Sequence, residues 1–178
     1  MNICVFCSVT EVTDAYRIPA REFVRLVASR GHTFVWGGSK RGLMGFLADE
    51  VRNGGGKVIG ILTEGIKEQE YDGADEMVIT PDLATRKTML LDRSDAFVVL
   101  VGGSGTLDEF ATVLALKRHK LHRKPIVVLN TGGFYDHLKA QFERMTADGM
   151  TKPSVLEYDV YFASAPDEAM RYIESHAN

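Results

Sequence analysis

Cysteine is scarce: Cys4 and Cys7 are the only two in 178 residues. That excludes a disulfide framework, and a structural zinc site is excluded too. Such a site takes about four ligands, and neither a second Cys pair nor an H-x3-H pattern is present to complete it. The pair reads instead as small residues in and at the end of a buried strand. Long apolar runs are lacking as well. The opening MNICVFCSV has no basic lead-in and is far shorter than a signal or spanning segment, so no membrane association is expected and the expected location is cytoplasmic. There is no basic surplus either: the net charge is −3, which gives a nucleic-acid polymer no electrostatic reason to bind. No repeat, low-complexity tract or linker interrupts the chain, so one domain over residues 1–178 is expected. No metal and no cofactor is called for.

What is present is alternation. Apolar runs at 3–7, 33–36, 58–62, 76–80, 96–101, 126–130 and 158–162 read as strands. Between them lie helix-spaced segments at 14–30 (ended by Gly31), from 42 to 53, at 83–93 behind an Asp82 cap, at 106–119, 135–148 and 167–175. Residues 63–73 read as a loop. The strands are continuously apolar, as in a parallel sheet covered on both faces. Right-handed crossovers then give an α/β fold, a three-layer doubly wound parallel sheet of Rossmann-like type.

Ligands in such sheets sit beyond the carboxyl ends of the strands. Residues there include Ser8, Gly37, Gly38, Ser39 and the run Gly102, Gly103, Ser104, Gly105, Thr106. The latter joins a clean strand to a helix start, where unpaired N–H groups and the positive dipole end suit a phosphate. Glu109, one turn into that helix, would repel a phosphate unless it faces another part of the ligand. A phosphate at one end of the ligand, with chemistry a few ångströms away, reconciles the two. The turn at 37–45 is a second wall or a place where a helix packs closely on the sheet.

Familiar nucleotide patterns fail. The first strand ends without glycine, which excludes the dinucleotide fingerprint, and neither glycine turn ends in G-K-[ST]. G-x-S-x-G is absent. His119 and His122 near a helix end read as solvated or dipole-complementing.

The stretch Val101-Gly-Gly-Ser-Gly-Thr-Leu-Asp-Glu109 resembles the P-G-G-x-G-T-x-x-E hallmark of the LONELY GUY (LOG) family, also described as "possible lysine decarboxylase". Val35-Trp-Gly-Gly-Ser-Lys-Arg-Gly-Leu-Met-Gly45 is similar to that family's Y-G-G-G-x-x-G-L-M-G turn. Ile3-Cys-Val-Phe-Cys-Ser8, Thr85-Arg-Lys87, Lys124-Pro-Ile-Val-Val-Leu-Asn130 and Gly133-Phe-Tyr135 follow its other conserved stretches. The resemblance implies hydrolysis of the N-glycosidic bond of a nucleoside 5′-monophosphate to free base and ribose 5-phosphate, with cytokinin riboside monophosphates, AMP or CMP as substrates. It implies that Gly102–Thr106 hold the phosphate and that Glu109 faces the ribose as a catalytic carboxylate. Arg86 would be its catalytic partner, with Ser8, Gly37, Gly38, Ser39 and Lys87 around the nucleotide. It also implies a homodimer, for which the apolar residues Phe110, Val113, Leu114 and Leu116 offer a helix face. Val101 stands for the hallmark proline, Ala84 for a histidine, and Ser8-Val9 for Gly-Ser-Ser. These departures leave two alternatives, a non-catalytic nucleotide sensor and a molybdenum-cofactor carrier. A decarboxylase would usually need pyridoxal phosphate on a lysine, and no site in the sequence is organised for it.

Overall fold

The computed structural model describes residues 1–177. Seven strands form one sheet in the order β4-β3-β2-β1-β5-β6-β7: β1 Asn2–Phe6, β2 Thr33–Trp36, β3 Lys57–Thr63, β4 Glu76–Thr80, β5 Ala96–Val99, β6 Ile126–Leu129 and β7 Tyr161–Ala163. All six pairings are parallel. Parallel strands need covered faces, and the central ones are built for that: every residue of β5 and β6 is buried.

Seven helices supply the cover: α1 Asp14–Ser29, α2 Gly42–Asn53, α3 Leu83–Asp92, α4 Ser104–Arg118, α5 Asp136–Ala147, α6 Val155–Tyr158 and α7 Pro166–His176. One core joins α1, α2 and α7 to the sheet through Phe23, Val27, Leu47, Val51, Met170 and Ile173. A second, on the other face, gathers Leu90, Phe110, Val113, Leu114 and Phe142. The expected three layers are present.

Most expected boundaries lie within a few residues of those found. Three expectations need correction. Residues 63–73 are not a featureless loop: Glu64–Gln69 winds into 3-10 turns, and Glu70 bridges Ser39. Tyr158, where the last strand was expected to begin, closes the short α6, and the edge strand is confined to Tyr161–Ala163. Phe110, Val113 and Leu114 do not form a free face for a partner. α4 turns them onto the sheet, and each is buried within its own chain.

The chain leaves β1 towards β2, β3 and β4, then returns to place β5 on β1's other side. The crossovers diverge at that point, so a crevice opens beyond the carboxyl ends of β1 and β5. The loop 7–13 and the run 100–106 form its lip.

Candidate active site

Two glycine-rich turns lead into helices at this end of the sheet, and hydrogen bonding separates them. At the start of α2 the donors are spent: Leu43 N–H bonds the Thr10 carbonyl and Met44 N–H the Ser8 carbonyl, both at 3.2 Å. Gly42 permits this approach. It sits at φ +52°, and a Cβ there would strike the backbone of Val9 and Thr10. At the start of α4, Gly103 caps in extended geometry and no side chain takes up the first-turn donors. Gly103, Ser104 and Gly105 are exposed. Of the two, the start of α4 is the one whose first-turn donors remain available to an anion, because α2 has already given its donors to the neighbouring loop.

The expected site residues divide accordingly. Ser8, Gly37, Ser39, Arg86, Lys87, Gly103, Ser104, Gly105, Thr106 and Glu109 all line one cavity of about 430 Å³. Gly38 and Gly102 do not line it. Gly38, at φ +75°, lies against the Ile61 backbone and Leu62, where a side chain would collide with β3. Gly102 makes room for the Thr106 side chain. Thr106 itself divides its roles: its hydroxyl donates to the Cys7 carbonyl at 3.1 Å, so its backbone N–H is what remains for a ligand. Both cysteines are buried and unpaired, and burial pushes the thiol of Cys7 far up, which leaves it inert.

Asp82 caps α3 by accepting from Thr85 N–H at 2.7 Å, which fixes the register of the next two residues. Arg86 then points inward and Lys87 outward. Arg86 donates through Nε to the Ile61 carbonyl and reaches Glu109 Oε1 through Nη1, each at 2.8 Å. Lys87 holds both oxygens of Asp108 at 3.0 Å. Two successive ion pairs, one buried and one exposed, thus join α3 to α4. Gly37 is what lets the buried one fit, since a Cβ at that position would overlap Arg86 Nη2. Burial pushes the Glu109 carboxyl above its ordinary value, while the Arg86 charge pulls it down less strongly.

The rest of the cavity lining was not read from the sequence: Met44, Ile66, Leu83 and Val9 add apolar surface, and Gln69 adds a carboxamide. The 64–70 segment is pinned over the 37–41 turn: Lys40 N–H donates to the Gln69 carbonyl at 2.8 Å, and Ser39 Oγ donates to Gln69 Oε1 at 3.2 Å. No periodicity marks TEGIKEQ. Its polar turn composition was the available signal, and it identifies a loop without saying what the loop covers.

Of the three departures from the family pattern, Ser8-Val9 lies on the cavity and the other two do not. Ala84 is exposed and lies on a shallow recess of α3 with Thr88 and Met89, away from the cavity. Val101 is buried, and its carbonyl accepts from Ser8 N–H at 3.0 Å, a bond that proline in its place would also accept.

An uncapped glycine-rich helix start beside a buried Arg–Glu pair, at the switch point of a parallel sheet, marks a doubly wound α/β protein with a cleft sized for a small phosphorylated ligand. Residues 44–173 match the model of the family described as "Possible lysine decarboxylase", and the chain belongs to that family. It is 40% identical over 169 residues to a probable cytokinin riboside 5′-monophosphate phosphoribohydrolase of Oryza sativa subsp. japonica, covering 93% of this chain and 73% of that one. It is 32% identical to a cytokinin riboside 5′-monophosphate phosphoribohydrolase of Arabidopsis thaliana, covering 98% and 78%. Among solved structures, the molybdenum cofactor binding protein of Rippkaea orientalis aligns with a TM-score of 0.75 at 24% identity, covering 98% of this chain and 95% of that one. At that identity the likeness is one of fold.

The family's description names a decarboxylase, and the cleft does not suit the pyridoxal phosphate such chemistry ordinarily uses. Lys87, on its wall, is bound by both oxygens of Asp108, and the buried acid faces Arg86.

Proposed function

We propose that this chain is a phosphoribohydrolase of nucleoside 5′-monophosphates, releasing free base and ribose 5-phosphate. The observation that carries the reading is the Arg86–Glu109 pair opening onto the same cavity as the free N–H groups of α4. The 5′-phosphate sits on the backbone donors of Gly103 to Thr106. Glu109 stands about one turn further along the same helix, which brings a carboxylate level with the ribose. As the C1′–N bond breaks, its electron pair leaves with the base, which takes up a proton. Positive charge grows on C1′ and the ring oxygen, and the Glu109 carboxylate stabilises it. Water then adds its oxygen to C1′ and gives up a proton. Arg86 holds Glu109 in place and opposes its protonation.

The two relatives named for this activity support the reaction class. The test is chromatographic: AMP, CMP, GMP, UMP and a cytokinin riboside monophosphate are incubated with the protein and free base is measured. Release that disappears in Glu109→Ala is expected. Nucleotide binding without release from any of the five would replace this reading with that of a sensor.

The proposal extends to a single domain over residues 1–178, a homodimer and a cytoplasmic location. One sheet ties both ends of the described chain together. The exposed leucines Leu83 and Leu107 stand near the cleft, as an interface beside it would require. Two unpaired cysteines fit a reducing compartment. A light-scattering mass near that of the 19.7 kDa monomer would overturn the dimer.

A further inference from the structure

At the far end of α4 the chain changes character. Residues 117–124 read KRHKLHRK, with five lysines and arginines and no acid, in a protein of net charge −3. α4 is 15 residues long, which places this end roughly 22 Å from the anion seat. Here a second cavity of about 330 Å³ opens at the amino-terminal edge of the sheet. Lys117, Lys120, Arg123, Tyr158, Asp159 and Tyr172 are among the residues that line it.

The charges in it are not balanced. Asp159, the one carboxylate among the lining residues, is already paired with Arg118. Lys117 is half-buried and donates to the Asp159 backbone carbonyl at 2.9 Å. Lys120 and Arg123 have no ion pair among the described residues. His122 adds no charge. Its Nε2 donates to the Val113 carbonyl at 2.8 Å and its Nδ1 accepts from Lys124 N–H at 3.2 Å, so the ring is neutral, and burial holds its pKa down.

Complementing the dipole at the end of α4 explains Lys117 and Arg118, which lie in its last turn. It does not explain Lys120. That residue lies beyond the helix at φ +61°, the one non-glycine residue at positive φ among those described. Its N–H bonds the Lys117 carbonyl and Leu121 N–H bonds the Leu116 carbonyl, which is the helix-ending turn that glycine ordinarily completes. A lysine stands where the backbone favours glycine, and it lines a cavity that Lys117 and Arg123 also line. Strained backbone of this kind persists at functional positions.

We propose that this cavity binds an oligophosphate group, separately from the nucleotide cleft, with Lys117, Lys120 and Arg123 as its cationic ligands. The proposal does not depend on the phosphoribohydrolase reading, and the two fail separately.

Lys120→Gly tests it, because that change removes the charge while relieving the backbone. Inorganic tripolyphosphate is titrated calorimetrically into the whole protein, and thermal unfolding is followed alongside. The variant is expected to melt higher, by about 3 °C, and yet to bind tripolyphosphate about tenfold more weakly. Arg123→Gln, which leaves the backbone alone, is expected to lose affinity similarly without the gain in Tm. Anion binding at the α4 start would be untouched by either change. Unaltered tripolyphosphate affinity in both variants, or no binding by the parent protein, overturns the proposal.

Discussion

Arg86 Nη1 lies 2.8 Å from Glu109 Oε1, and both side chains are more than nine-tenths buried. Two opposed effects meet in that contact. Burial raises the Glu109 pKa above 4.5, and the Arg86 charge lowers it by less. Glu109 acts as a carboxylate in the proposed reaction, so activity is present above its pKa and lost as pH falls through it. The acid limb of kcat/KM is expected above the ordinary carboxylate value. Arg86→Gln removes the lowering influence and is expected to shift the limb to still higher pH, besides reducing the plateau. A limb at the usual carboxylate pH, unmoved by the substitution, would remove Glu109 from the role given to it.

Gly37 sets the position of that pair and carries no side chain of its own into the cavity it lines. A methyl group there overlaps Arg86 Nη2, a side-chain terminus that can yield by moving away. Gly37→Ala is therefore expected to fold while displacing the guanidinium. Misplacement of a catalytic group by about 1 Å costs on the order of 100-fold in rate. The check is kcat measured beside Tm: a large fall in kcat with a small change in Tm is expected, and normal kcat would show that the pair tolerates displacement.

Much of this was legible in the sequence, for identifiable reasons. The runs AFVV and IVVL, short and rich in β-branched residues, read as covered strands, Asp82 reads as a cap, and GGSGTLDE reads as the turn that takes a strand into a helix start. Those are local signals. What could not be read were contacts between distant segments. Nothing in GGSKRGLMG says that the carbonyls of Ser8 and Thr10 would occupy its helix donors, leaving free donors at one helix start where two were conceivable. Nothing in TEGIKEQ says that it folds over Ser39. Phe110 and Val113 are apolar whether they face a sheet or a second subunit, so their placement required the fold.

Thr106 illustrates the same division. Its place in the glycine run suggests a ligand contact, whereas its hydroxyl ties α4 to the end of β1 through the Cys7 carbonyl. Thr106→Val leaves that buried carbonyl without its partner and is expected to cost about 1–3 kcal/mol of stability. Thr106→Ser keeps the hydroxyl and should recover most of it. Denaturant unfolding of the three proteins checks this. A loss in the serine variant with none in the valine variant would show that the methyl group's packing, and not the hydrogen bond, holds the helix start in place.

Gln69 lines the same cavity as the Arg86–Glu109 pair. Its carboxamide oxygen is fixed by Ser39 Oγ at 3.2 Å, and Ser39 Oγ in turn accepts from Arg41 N–H at 3.1 Å. With the oxygen engaged by Ser39, the amino group is the part of Gln69 left to meet a ligand, and it can only donate. With phosphate and ribose placed as proposed, the base occupies this side, among Met44, Ile66 and Leu83. Gln69 then favours bases that offer an acceptor on the edge they turn towards it. Loss of one such hydrogen bond is worth about 0.5–1.5 kcal/mol when both partners are otherwise solvated, or roughly two- to tenfold in kcat/KM. Gln69→Ala is expected to compress the ranking of AMP, GMP, CMP and UMP by that factor, acting on KM more than on kcat. Gln69→Glu replaces the donor with an acceptor and is expected to penalise the preferred base most. An unchanged ranking in both variants would place the base elsewhere in the cleft and leave the 64–70 segment as a purely structural cover.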